Sequence, residues 1–532
     1  MKNPLIMKQL KPGITDKMKK LSILFAAFVF VTTGISGQAV SKADLKQLDE
    51  YYARMVEDWD IPGASIGIVK DGEMIFSGNY GVLEEGKDAG PDKNTLYAIA
   101  SNSKAFTTAI IGMLVQEGKL DWNDKVKKYL PYFELYDPWV SHEVTVRDLL
   151  CHRVGLGTFS GDVIWYKSDL TAEEIIKRVK FLPKAFDFRS GYGYSNVMYV
   201  TAGELIRKTT GKTWSENVKE RILTPLGMDR TITTPNDLEE KGNFATPHAR
   251  ENESNIPIAW ENWETVGATG GIISSVADIS KWMIFNLDHG ILGNDTLLTP
   301  ETRNMVWTPH NNFLVDHTTQ NDFNRHFRAY GLGWDLSDYH GHLRVGHTGA
   351  YDGMITAVTL IPDENLGIVV LTNGMKSPIM AATYYAIDRF LGLETRDWSA
   401  EYLESLNSRQ REDTRISERK EKRVPDTRPS VELKEYTGIY YSDIYGEIKI
   451  NLESGRLRMA FEHSPNLAAA LNHWHYDVWE IQWDNKHAWF SFGTIKFNMD
   501  NNLKVTGMDF DVPNNDIFFE ELKPFKVESG NN

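Results

Sequence analysis

The sequence predicts an α/β (α+β) chain of two folded domains, the first mixing strands and helices and the second all β. Three observations predict it. Strand patterns stand at both ends of residues 38–395 with helical patterns between them. A charge-dense stretch with few apolar residues, 396–430, follows. From about residue 433 short alternating strands take over. At 532 residues the chain is too long for one small core, and 41% apolar with 25% charged residues is ordinary for a globular protein.

Residues 1–37 read as a secretory signal rather than as part of the fold. Met18-Lys19-Lys20 precedes the apolar run 21–31, and residues 32–39 are small and polar. About eleven apolar residues are too few to span a bilayer. Met18 is an alternative start, cleavage is expected within about residues 36–39, and no cysteine lies nearby to take a lipid anchor. The mature protein is expected to be periplasmic or secreted, with no integral membrane span.

The whole chain carries −15, and removal of 1–37 leaves about −20. That acidity argues against nucleic acid or an anionic membrane as partner. Cys151 is the only cysteine, so an intrachain disulfide and multi-cysteine zinc sites are excluded. Cys151 next to His152 suggests a nucleophile pair, but the apolar run Leu149-Leu150-Cys151 favours a buried structural thiol.

Element by element, residues 42–59 repeat Leu45, Leu48, Tyr52, Met55, Val56 and Trp59 at helical spacing. Segments 65–69 and 74–76 flank Asp71-Gly72, a hairpin signal. Residues 105–115 form a nearly all-apolar helix ended by Gly118, to be buried on all sides. Helical patterns recur in "TVRDLLCHRVGLG", "TAEEIIKRV", "VMYVTAGELIRKTTG" and the serine-capped "SSVADISKWMIFNL". Strands return at "HLRVGHTG" and in "MITAVTLIPDENLGIVVLTNG", which turns near Pro362-Asp363; Ser377-Pro378 then caps a helix ending at Gly392. Residues 396–430 read as an exposed linker. The second domain, 431–526, reads as strands at "YTGIYY", "EIKINL", "RLRMAF", "AWFSF", "IKFNM" and "IFFEEL".

Chemistry enters at "AIASNSKAFT". Residues three apart on a helix share a face, so Lys104 stands beside the Ser101 hydroxyl. A serine hydroxyl needs a base within reach, and a lysine desolvated by an apolar helix has its pKa lowered toward that task. The pattern S-x-x-K alone is weak: Ser417-Glu418-Arg419-Lys420 repeats it inside the charged linker. Two further stretches raise it. Tyr194-Ser195-Asn196 follows a glycine-rich loop and opens a helix, and His347-Thr348-Gly349 ends a strand.

With these three stretches in this order and at separations of 93 and 153 residues, the sequence resembles the serine β-lactamase and penicillin-binding-protein superfamily. The likeness is to its class C branch of β-lactamases, D-alanyl-D-alanine carboxypeptidases, D-aminopeptidases and esterases, and covers roughly residues 42–395. It implies a central antiparallel sheet flanked by helices, a helical subdomain, and here an added barrel-like β domain. Ser101 would be the acylated nucleophile, with Lys104 either deprotonating it or holding the proton network. Tyr194, as a phenolate sustained by neighbouring cationic groups, would relay the proton to the leaving group and later activate water. Asn196 would bond the substrate's acyl-side amide and Lys104. The N–H groups of Ser101 and Ala350 would form the oxyanion hole. His347 would line the strand edge, with Gly349 beside it, and Thr348 would contact the substrate carboxylate. No cofactor or metal is implied; His473 and His475, two apart in the β domain, supply too few ligands for a metal site.

The third motif carries histidine where class C β-lactamases carry lysine, which resembles the D,D-carboxypeptidase and D-aminopeptidase branch. A neutral imidazole offers less fixed positive charge for a β-lactam carboxylate. The leading expectation is an exported serine hydrolase acting on an amide or ester, in a small peptide containing a D-amino acid. An esterase or β-lactamase is the alternative, and a non-catalytic penicillin or peptidoglycan binder a second. A homo-oligomer is possible. The walls near Trp165, Trp260 and Trp263 are not placed by spacing.

Overall fold

Asp71 and Gly72 are both left-handed, at φ 53° and 83°, the conformation a two-residue hairpin turn requires. They join β1 (Gly63–Lys70) to β2 (Glu73–Gly81). The computed structural model describes residues 42–316, 323–394 and 396–528; the signal segment expected at 1–37 lies outside them. The hairpin is one end of an eight-stranded antiparallel sheet. Its other strands are β3 (Asn311–Asn312), β4 (Arg328–Tyr330), β5 (Asp335–Tyr339), β6 (His342–Tyr351), β7 (Met354–Ile361) and β8 (Leu366–Thr372), in the order β2-β1-β8-β7-β6-β5-β4-β3. The two sequence ends of the domain meet where β1 pairs with β8, from Ala64 opposite Thr372 to Lys70 opposite Leu366.

Period-two alternation divides the core. Along β8, Leu366, Ile368 and Val370 face one layer while Val369 and Leu371 face the other. The outer layer is α1 (Lys42–Trp59), which buries Leu48, Tyr52, Met55, Val56 and Trp59 as expected, and α5 (Ile379–Leu391). The inner layer is α2 (Ser103–Gln116), α3 (Asn196–Thr210) and α4 (Val276–Leu287). Helix α4 lies tight on the sheet because residue 67 is glycine: a Cβ there would stand 2.4 Å from Val276 Cγ1. Short helices between α2 and α4 form the helical subdomain. Three of them, Val146–Leu150, Ala172–Arg178 and Trp214–Val218, start with reciprocal capping boxes, Thr145 with Asp148, Thr171 with Glu174 and Thr213 with Glu216.

The segment 396–430 differs from the exposed linker the charge density predicts. It folds as α6 (Trp398–Glu412) and a short helix Arg415–Glu421. Trp398 is buried and donates to Asp388 Oδ2 at 2.6 Å, and Trp59 Nε1 donates to Ser399 Oγ at 3.0 Å. One buried tryptophan outweighs the surrounding charge, which lies on the outer face of α6. The second domain is a closed antiparallel barrel of eight strands. Two stretches expected as strands are not: "AWFSF" is an irregular loop, and "IFFEEL" contains the 3-10 turn Phe519–Glu521. Their alternating aromatics fill the barrel's end and its seam with the first domain, as Phe490 packs against Tyr166 and Phe519 against Phe461. Among the described residues, no helix is long and apolar enough to cross a membrane.

Candidate active site

Ser101 sits in a single 3-10 turn, Ala100–Asn102, that runs straight into α2. Ala100 before it is left-handed at φ 47°, which costs a non-glycine residue roughly 1–2 kcal/mol. The surroundings hold the turn. Ile99 N–H donates to Ile272 O at 2.9 Å, and Asn102 Nδ2 donates to Ile99 O and Thr356 Oγ1 at 3.0 Å each. Strand β6 comes in close because residue 349 is glycine; a Cβ there would stand 2.2 Å from Ile99 O.

Lys104, one turn on, is wholly buried. Its Nζ lies 3.0 Å from Ser101 Oγ and donates to Asn196 Oδ1 and Thr269 O, each at 2.8 Å. Burial holds the amine well below the usual lysine value, with the charge of Asp162 pulling the other way. A neutral amine has two N–H donors and one lone pair. The carbonyl of Thr269 can only accept. Asn196 spends its Nδ2 on Asp162 Oδ2 at 2.6 Å, so its Oδ1 is what faces Lys104. The two donors are thereby used, and the lone pair is left for the Ser101 hydroxyl. That is the arrangement of a base poised on a nucleophile.

Tyr194 stands in the loop before α3, and its hydroxyl is close enough to Ser101 for that neighbour to pull its pKa down. Lys104 Nζ is 4.8 Å from its ring centre. The phenolate expected here is not what the surroundings support. Burial, joined by Tyr192, Tyr199 and Asp162, pushes the phenol well above its ordinary value and outweighs the pull of Ser101. The expectation assumed cationic neighbours, and Lys104 is itself held toward the neutral form. Tyr194 is a phenol in this cleft, able to pass a proton rather than store a charge. His152, left-handed at φ 59°, braces it: Nδ1 accepts from Ser195 N–H at 3.0 Å, and the ring centres of His152 and Tyr194 are 4.3 Å apart.

The third motif lies on β6. Strand β5 pairs with β6 only as far as Gly346, so from His347 to Tyr351 the strand has a free edge toward Ser101. His347 is buried, and burial together with Lys104 lowers it to about 4. It is neutral, and its two bonds fix the tautomer: Nδ1–H donates to Thr348 O at 2.5 Å and Nε2 accepts from Tyr330 O–H at 2.8 Å. Thr348 is exposed at the mouth, and Ala350 lines the same cleft. Ser101 and Ala350 thus line one cleft.

The cleft holds 520 Å³ and gathers Ser101, Tyr194, Asn196, His347 and Thr348. Sequence spacing left several of its residues unplaced. Trp165 and Trp263 form one wall, their rings edge-to-face at 5.1 Å; Trp260 packs behind, on Tyr351. Asp162 joins the site through Asn196, and burial raises it to about 8. Its sequence signal was a lone carboxylate between Gly161 and the apolar Val163-Ile164-Trp165. The barrel contributes too: Trp489, Asp516 and Ile517 line the cleft from the two stretches read as strands and the residue just before one of them. Cys151 is buried and its thiol pushed up to about 12, which removes it as a nucleophile. Ser417 is exposed on its short helix, where its hydroxyl donates to Thr414 O. His473 and His475 bond backbone groups of Tyr476 and Val424.

Residues 48–391 match the Beta-lactamase family model, and residues 422–525 match a domain of unknown function, DUF3471. The chain belongs to the Beta-lactamase family. It is a serine hydrolase, and two of its relatives are named hydrolases. It is 29% identical over 435 residues to Unguisins hydrolase ungD' of Aspergillus campestris, covering 76% of this chain and 78% of that protein. It is 28% identical to Protein flp of Staphylococcus aureus over 346 residues, 62% of each chain. Among solved structures, the octameric penicillin-binding protein homologue from Pyrococcus abyssi shares the fold at a TM-score of 0.58 and 21% identity, over 88% of this chain and 98% of that one. SurE aligns at 0.53 and 17%, over 91% and 99%.

Proposed function

We propose that Ser101 is acylated by an amide substrate with Lys104 as its base, and that the preferred substrate is a small peptide donating a D-amino acyl group. The observation that carries the first part is the bonding of Lys104, whose two acceptor partners leave its lone pair for Ser101 Oγ at 3.0 Å. Attack forms the Ser101 ester, the proton moves to Lys104, and Tyr194 passes it to the departing amine. The N–H groups of Ser101 and Ala350 receive the oxyanion, and water then frees the acyl group. Asn196 and Thr348 hold the substrate on either side. The signal-like leader at 1–37 supports export to the periplasm or medium.

Two features support a peptide over a β-lactam. His347 is neutral, so the third motif itself does not supply the fixed cation that a lysine there would offer a β-lactam carboxylate. At the Asn196 end of the cleft, the Asp516 carboxylate shows no hydrogen-bond or ion-pair partner among the described residues, and burial raises it to about 6. It suits a free ammonium on the acyl group. Asp516→Asn should raise KM roughly 5- to 10-fold for D-alanyl-p-nitroanilide, the worth of about 1 kcal/mol, and leave the N-acetylated analogue unchanged. For the wild type, that KM should fall as pH rises through about 6, where Asp516 ionises, and rise again near 8 as the substrate amine loses its proton.

The test of the function is a comparison of D-alanyl- and L-alanyl-p-nitroanilide, p-nitrophenyl butyrate and nitrocefin, with Ser101→Ala as the blank. Greatest turnover of the D-alanyl amide is expected. Faster turnover of the ester or of nitrocefin would assign the site to esterase or β-lactamase chemistry instead.

A further inference from the structure

The wall that carries Asp162 is poorly able to hold itself. Between residues 159 and 167 the backbone is left-handed three times, at Phe159 (φ 62°), Gly161 (86°) and Lys167 (54°), and two of these three are not glycine. Yet the catalytic groups hang on this loop. Phe159 N–H donates to Tyr194 O at 2.8 Å, Tyr194 N–H donates to Thr158 Oγ1 at 3.1 Å, and Asp162 takes Asn196 Nδ2 at 2.6 Å.

The barrel grips the loop at both ends. Near its start, Glu521 accepts from Ser160 Oγ at 2.5 Å and from Gly161 N–H at 2.8 Å, one oxygen for each donor. At its far end Asp169 N–H donates to His463 O at 2.8 Å, and Ser464 Oγ donates to Tyr166 O at 3.3 Å. Glu521 lies in the 3-10 turn that replaces an expected strand, and its position has no use within the barrel ladder.

We propose that Glu521 is a positioning residue for the nucleophile, and that the C-terminal barrel is therefore a working part of the active site. The relay is a chain of single contacts: Glu521 fixes Gly161, Gly161 opens the one-turn helix Asp162–Trp165 and so places Asp162, Asp162 fixes the amide of Asn196, and Asn196 Oδ1 fixes the Lys104 amine against Ser101. Each link settles which atom the next residue presents. Asp162 accepts from both Asn196 Nδ2 and Trp165 Nε1; that double acceptance prevents the Asn196 amide from turning its N–H groups on Lys104. The inference rests on the reading of Ser101 as nucleophile.

The experiment is a double-mutant cycle on the full chain, read as the rate and the apparent affinity of covalent labelling of Ser101 by a fluorophosphonate. Glu521→Gln keeps the shape but puts an N–H against one of its two donors. It should lower the labelling rate constant about 10-fold with the affinity unchanged. Asp162→Asn should lower it about 100-fold, and the double variant should fall no further than Asp162→Asn, because both act on one relay. Ser160→Ala, which removes one of the two clamp bonds and perturbs folding less, should give an intermediate loss. Labelling at the wild-type rate in Glu521→Gln and Ser160→Ala, or multiplicative losses in the double variant, would overturn the relay while leaving Ser101 as nucleophile. A wild-type protein that takes no label at Ser101 would overturn both readings.

Discussion

Replacing Lys104 with methionine should lower hydrolysis by on the order of 10⁴-fold or more while the protein still folds. Methionine matches the lysine stem in length and suits a wholly buried site, so the fold loses little. What it removes is the lone pair aimed at Ser101 Oγ and the two donors on Asn196 Oδ1 and Thr269 O. The same wiring sets the pH dependence. Burial holds Lys104 below the usual lysine value, so the neutral, basic form dominates from a lower pH than a surface lysine would allow. Acylation should rise with pH through that lowered value and then level off. Pre-steady-state acylation rates across pH check the sign: a rise only above pH 10 would mean the amine is cationic in the free enzyme.

The second large effect lies in the helical subdomain. Asp148→Ala should destabilise the first domain by roughly 3 kcal/mol. The carboxylate is buried and accepts from Thr145 N–H and Oγ1, from Arg153 Nε at 2.6 Å, and from Arg189 Nε and Nη2 at 3.0 and 2.6 Å. Its loss strips a helix cap and leaves Arg153, largely buried, with the carbonyl of His310 as its remaining hydrogen-bond partner among the described residues. Burial alone would raise the Asp148 pKa, but Arg189, Thr145 and Arg153 outweigh it and hold it below the ordinary carboxylate range. The sign follows: this stability is present above the unfolded carboxylate's pKa of about 4 and is lost as pH falls through the lower folded value. Urea unfolding followed by tryptophan fluorescence measures it. Activity should fall with stability, because Arg153 and His152 adjoin and His152 seats Tyr194.

Much of this frame was legible because it is local or periodic. The α1 stripe, the Asp71-Gly72 turn, the strand pair around Pro362 and the Ser101–Lys104 spacing each declare themselves within a few residues. The order of Ser101, Tyr194 and His347 then separated the real pair from its copy at Ser417. What stayed hidden depends on contacts between distant segments. Asp162 matters only because the chain folds it under Asn196, and nothing in "GDVIW" says so. Tyr194 was expected as a phenolate because its surroundings in space, with Tyr192, Tyr199 and a Lys104 held below the usual lysine value, were unknown. The misread strands of the barrel teach the same lesson. In "AWFSF" and "IFFEEL" alternation comes from packing at a seam rather than from a ladder, and these stretches bring Trp489 and Glu521 to the first domain.

One covalent bond, formed at Ser101 Oγ, carries the proposed chemistry. Intact mass and peptide mapping of the wild-type protein and of Ser101→Ala, each incubated with a fluorophosphonate, test it most directly. The wild type should gain one phosphonyl group, mapped to Ser101, and Ser101→Ala should gain none. An unlabelled wild type, or equal labelling of both proteins, would contradict it.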